Sequence, residues 1–397
     1  MKLLHFILYL AILIILILIF ILLKNKSIII VAFSTLIIFE FIFQPDICIE
    51  GTLTGARLFY YKVFPSIFPF LIICNILINY DGVKIYARYF GAFLCKPLRL
   101  PIQCSFVIIT SILCGYPLGS KYASEIYNKQ LISYNTYKRL LNIASNASPL
   151  FIIGSVGTSM LNNSNIGYLL FFSNIISCIL MSLVLPAAKE KKIDNYNAGN
   201  YLPGTKDFGS VIKSSIDSSI TNTLSIGGFV ILFSVIISII KNSSIVNLLV
   251  NIISTLSNIN STIIKSLLLG VVEITNGCSL ISQSDMNMLT KISIISFFIG
   301  FSGISIIFQV NSFIYKYNVS IKTYVFNKFI QGVFCSIISV ILFSIMRVNL
   351  YNSNVPAVSL VTNPIFNKYY IIYFISAIPL VLVLLKNIKY FIRNHLL

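Results

Sequence analysis

Residues 102–121 read IQCSFVIITSILCGYPLGSK, and residues 262–283 read TIIKSLLLGVVEITNGCSLISQ. Each opens with an apolar run of 13 residues, Ile102–Cys114 and Thr262–Ile274. Such a run makes about 20 Å of helix, too little to cross a hydrocarbon core about 30 Å thick. The first run then meets Gly115, Tyr116, Pro117, Leu118, Gly119 and Ser120, and the second meets Glu273, Thr275, Asn276 and Gly277. Irregular backbone at membrane depth is tolerated only where protein or a water-filled cavity satisfies it. The two stretches therefore predict re-entrant hairpins, 102–120 and 262–283, within a membrane protein.

Composition agrees with that medium. Of 397 residues, 57% are hydrophobic and 10% charged, against about 25% charged in soluble domains. Mean hydropathy is +0.91. Lys and Arg number 29 and Asp and Glu 11, for a net charge of +18. No nucleic-acid-reading motif groups these basic residues, so no nucleic acid partner is expected. The eight cysteines are scattered without a CxxC pair, and His5 and His395 stand at opposite ends. No metal, no cofactor and no His-based triad is expected. GxSxG, HExxH and P-loop motifs are absent. With no nucleophile–base pair, no residue is read as catalytic and the chain is read as a non-enzyme.

The expected fold class is all-α: a polytopic membrane protein with about nine transmembrane helices plus two re-entrant hairpins in an inverted repeat. The spans read near 3–23, 27–43, 63–80, 139–161, 166–185, 224–241, 291–313, 329–346 and 369–385. The run from Leu3 to Leu23 is too long for a signal h-region and reads as a retained anchor. By the positive-inside rule, 24–26, 81–103, 121–139, 186–213, 315–328 and 386–397 are cytoplasmic. Asp46–Glu50 and the turn Asn162–Asn165 fall on the other side, with the N-terminus out and the C-terminus in. Without tryptophan, tyrosine has to supply any aromatic belt at the bilayer surface.

The order of parts repeats: span, interfacial segment, hairpin, polar-interrupted span. The reading divides the chain into an N-terminal hairpin (1–50), a first repeat (51–185), a linker and helix start (186–223), a second repeat (224–315) and C-terminal helices (316–397). Opposite starting directions of the two repeats predict inversion, and paired broken segments point to a binding site near the bilayer midplane.

The candidate substrate-binding residues follow from that placement. Hairpin one offers Gly115, Tyr116, Pro117, Gly119, Ser120 and Lys121, and the span after it offers Asn146 and Ser148. Hairpin two offers Glu273, Thr275, Asn276 and Gly277, and its following span offers Ser302, Gly303 and Gln309. Small residues also mediate helix packing in membranes, so Ser and Gly here are open to both readings. An intramembrane acid defaults to a functional hypothesis, so Glu273 is expected either to carry a proton or to accept bonds from amides of the facing hairpin. Lys121 follows a helix start, where free N–H groups suit a carboxylate or phosphate; it can equally be an ordinary positive-inside lysine. These features lean weakly to a small anionic solute.

Residues 114–161, CGYPLGSKYASEIYNKQLISYNTYKRLLNIASNASPLFIIGSVGTSML, resemble the sporulation integral membrane protein family called YlbJ or SpoVV. That family carries GYP-x-G-[AS]-K and N-x-[AGS]-P-L-F-I-x-G-[ST]-V-G motifs. Residues 267–282 and 297–310 look like its E-[IV]-T-x-G and G-x-[GS]-G-x-S motifs, and the likeness extends over about 50–345. The resemblance implies gate-type (nucleoside-recognition) hairpin units. It also implies passage of dipicolinic acid from the mother cell through the outer forespore membrane, with a functional link to the SpoVA channel. On this reading the partners are the lipid bilayer and a small anion such as dipicolinate. A homo-oligomer, another solute such as a nucleoside, and a non-transporting scaffold for spore envelope assembly stay open.

Overall fold

The computed structural model describes residues 26–186, 207–257 and 259–346, and every regular element among them is helical. The expected spans at 3–23 and 369–385, with His5 and His395, lie outside the described residues. Helices α1 (Lys26–Phe43) and α2 (Pro45–Leu58) lead in and are bent by 108°. Pro45 supplies the cause, because it lacks an N–H and pushes the preceding residue out of helical geometry. Gln44 accordingly sits at φ −134° and ψ 59°.

A first set of seven helices follows: α3 (Phe64–Asn79), α4 (Gly82–Cys95), α5 (Ser105–Cys114), α6 (Leu118–Asn128), α7 (Tyr134–Ile143), α8 (Leu150–Met160, wound as a π-helix) and α9 (Ser164–Val184). The second set is α10 (Phe208–Asn242), α11 (Ser244–Ser257), α12 (Ser261–Val272), α13 (Ile274–Ser282), α14 (Met288–Phe301), α15 (Gly303–Ile314) and α16 (Ile321–Met346). Each set runs in one order: an opening helix, an amphipathic helix, two half-helices of a hairpin, two halves of a broken helix and a closing span. By composition α9, α10, the α14–α15 pair and α16 can each cross a membrane. The bent pairs α1–α2 and α3–α4 raise the number of candidate spans to six among the described residues. The fold is that of an all-α polytopic membrane protein.

Contacts between the sets are reciprocal. Helix α3 packs on α10, and α9 packs on α16. Helix α6 meets α15 while α13 meets α8; α9 meets α14 while α16 meets α7. Each contact is either its own counterpart or has one, as a two-fold relation between like units requires. The core gathers where these pairs cross, around Phe106, Leu118, Ile152, Phe298 and Ile299, all almost fully covered.

Several sequence expectations are corrected. Helix α10 begins at Phe208 rather than near 224, capped by Asp207, whose carboxylate accepts from Ser210 N at 3.2 Å. Its buried Val211, Ser215, Ser219 and Thr223 recur every four residues, a packing stripe too polar for hydropathy to register. The polar interruption expected within 139–161 is a complete break, since α7 stops at Ile143 and α8 starts only at Leu150. Arg139 and Lys328, expected in charged loops, are 3% and 0% exposed. The Arg139 guanidinium donates to the carbonyls of Leu98, Ser182, Leu185 and Pro186, closing the end of α9.

Inversion of the two sets across the bilayer has a direct readout. Lys129 and Gln283 are exposed and occupy matching places, just past α6 and α13. Impermeant thiol reagents should label Lys129→Cys and Gln283→Cys from opposite membrane faces. Labelling of both from one face would exclude inversion.

Candidate functional site

Each hairpin folds back against the break of its own set's interrupted helix. In the first set the turn is made at Gly115, whose φ of +79° costs glycine little and other residues more. The Tyr116–Pro117 peptide is cis. Tyr116 N then donates to Asn146 O at 2.6 Å, joining the hairpin tip to the 144–149 break. In α6, a Cβ added to Gly119 would lie 1.7 Å from Ala144 O, so only glycine permits this approach. Asn146 Nδ2 donates to Ser111 Oγ at 3.3 Å and Ile143 O at 3.1 Å. Ser148 Oγ accepts from Phe151 N at 3.3 Å and opens α8. Ser120, also buried, donates its N–H to Pro117 O at 3.1 Å.

The second set repeats the design with different chemistry. A Cβ on Gly277 would approach Gly270 Cα to 2.2 Å. Residues seven apart on a straight helix are separated by about 10 Å. The chain has therefore turned back, and 262–283 is a hairpin. Glu273 caps its second half: Oε1 accepts from Thr275 N, and Oε2 from Asn276 N and Nδ2, each at 2.9 Å. Opposite, Ser302 (φ 74°) and Gly303 (φ 78°) break the long helix into α14 and α15. Gly303 packs on the backbone of Val272, Glu273 and Ile274.

An Asn–Lys hydrogen bond fastens each hairpin to its opening helix. Lys121 Nζ on α6 donates to Asn75 Oδ1 on α3 at 2.8 Å and lies over the Tyr122 ring. In the second set Lys241 Nζ on α10 donates to Asn276 Oδ1 on α13, again at 2.8 Å. The join is kept while the partners exchange helices. Asn75 also donates to Ser219 Oγ at 3.0 Å, linking the two opening helices.

The two sets meet at a polar node that the sequence reading missed. Lys328 Nζ on α16 donates to Ser145 O at 2.7 Å and to Gln331 Oε1 at 2.8 Å. Gln331 Nε2 donates to Cys178 Sγ at 3.0 Å and Asn146 Oδ1 at 3.4 Å, and Tyr324 and Ser145 share a hydroxyl bond of 2.7 Å. The available signal was a Lys and a Gln three apart, on one face of an otherwise apolar run. The Tyr116 hydroxyl is covered and has no hydrogen-bond partner among the described residues.

Of the predicted residues, Gly115, Tyr116, Pro117, Gly119, Asn146 and Ser148 form one cluster, and Glu273, Thr275, Asn276, Ser302 and Gly303 form another. Gln309 is buried and bonds Ser305 on its own helix, at 3.5 Å. Gly277 serves the hairpin crossing. A cavity of about 300 Å³ between α12, α14 and α16, lined by Leu267, Phe297 and Val333, contains none of these residues. Among the described residues no group of His, Cys, Asp or Glu is arranged to hold a metal.

The chain is 26% identical over 339 residues to the sporulation integral membrane protein YlbJ of Bacillus subtilis, covering 80% of this chain and 83% of that protein. The match supports assignment to the YlbJ family. It spans most of both chains, as a shared architecture of this length requires. No family model and no solved structure matches the chain.

The Glu273 cap carries a prediction. Glu273→Leu leaves the Thr275 and Asn276 amides without their acceptor, at about 1–3 kcal/mol for each unmet donor. It should lower the melting temperature in detergent and the accumulated yield. Glu273→Gln, which keeps an acceptor oxygen, should lose less, about 1 kcal/mol. Equal stability of the Leu variant and wild type would remove the cap from the account.

Proposed function

We propose that the chain is a sporulation membrane transporter for a small anionic solute. Dipicolinate, leaving the mother cell across the outer forespore membrane, is the solute favoured by the YlbJ-like motifs. One observation carries the reading. Among the described residues the buried charged side chains are Lys121, Arg139 and Lys328, with no buried acid to balance them. The Arg139 Nη1 and Nη2 groups are engaged by four carbonyls, while both lysines have only neutral hydrogen-bond partners. A buried cation is expensive in a membrane interior and marks ion or substrate pathways. A surplus of positive charge between two broken helices suits an anion. Reciprocal packing of the two sets supplies two like bodies able to rock about a shared centre.

The test is flux. Purified protein in liposomes should release or take up dipicolinate faster than empty vesicles, with uridine left behind. Uridine flux alone would favour a nucleoside transporter, and no flux of either would favour a scaffold.

A further inference from the structure

We infer that Lys328, with Gln331 and Asn174, forms a carboxylate-binding site where α9 and α16 meet the break between α7 and α8. The inference rests on the anion reading above and gives it a location.

Lys328 is 0% exposed and sits eight residues into a span. An ammonium has three donors. Two are used, on the Ser145 carbonyl and the Gln331 amide oxygen, and neither acceptor is charged. The ion pairs Lys84–Asp81 and Lys129–Glu125 are elsewhere. A helix-end carbonyl can be satisfied by a neutral donor, so capping Ser145 does not by itself require a buried charge. An anionic ligand would supply the missing counter-charge.

A second observation is independent of the first. Asn174 on α9 is 1% exposed, and neither its Oδ1 nor its Nδ2 has a hydrogen-bond partner among the described residues. A buried amide in that state is costly unless something polar occupies its place at another stage. Asn174 is one turn before Cys178, on the same helix face, and Cys178 accepts from Gln331 of the node. Ammonium and amide donors beside one break suit a carboxylate, which only accepts hydrogen bonds. A neutral solute would leave the ammonium uncompensated.

The test uses full-length protein in detergent and reads ligand-induced shifts of the melting temperature. The probes are dipicolinate and isophthalate as dicarboxylates, and nicotinamide and uridine as neutral controls. Wild type should be stabilised by the dicarboxylates only. Lys328→Gln keeps an amide donor for Ser145 but no charge, and should weaken dicarboxylate affinity about tenfold or more; Lys328→Arg should retain most of it. Should the Gln variant fail to accumulate, Asn174→Leu decides: removing a partnerless amide should leave the fold as stable or more so while dicarboxylate affinity falls. Undiminished affinity in Lys328→Gln or Asn174→Leu, or no dicarboxylate stabilisation of wild type, overturns the site. Binding without liposome flux would sink the transporter reading and leave the site standing; flux indifferent to Lys328 would do the reverse.

Discussion

A helix that stops inside a bilayer leaves amides and carbonyls with no water to meet them, and the architecture of this protein follows from how those groups are met. Hairpin one places Tyr116 N on Asn146 O, so two broken segments satisfy each other. Hairpin two brings its own acceptor, the Glu273 carboxylate, to the first amides of α13. The loose end of α7 receives the Lys328 ammonium from the other set. The first and third solutions fasten separate helices together. Close approach at Gly119 is then obligatory, because a side chain there would push apart the groups that need each other.

That constraint also gives charge a place in the interior. The Lys121–Asn75 and Lys241–Asn276 bonds hold each hairpin to its opening helix with a cation and a neutral amide rather than an ion pair. These bonds are cheaper to exchange than buried ion pairs. Rigid anchoring falls instead to Arg139, spread over four carbonyls at the end of α9.

Features written in short-range pattern were legible from sequence. Two apolar runs too short to span, each ending in a backbone-breaking tract, gave the hairpins and the repeated order of parts. The span of α9 and the interruptions at 144–149 and Ser302 were readable in the same way. Features that depend on partners far along the chain were hidden. The polar first half of α10 is helical because α3 and the Asp207 cap support it, which no local hydropathy reports. Lys328 and Arg139 look like topology lysines and arginines until the fold closes over them. Glu273 was expected to meet amides of the facing hairpin, but its amide partners belong to its own hairpin.

The central claim is that the helix ends at the breaks are satisfied by protein groups. Hydrogen–deuterium exchange in lipid nanodiscs tests it at peptides covering Tyr116 and Thr275–Asn276. The account predicts protection there comparable with the middle of α16, and far above the loop that follows α6. Exchange at those amides as fast as in that loop would contradict it.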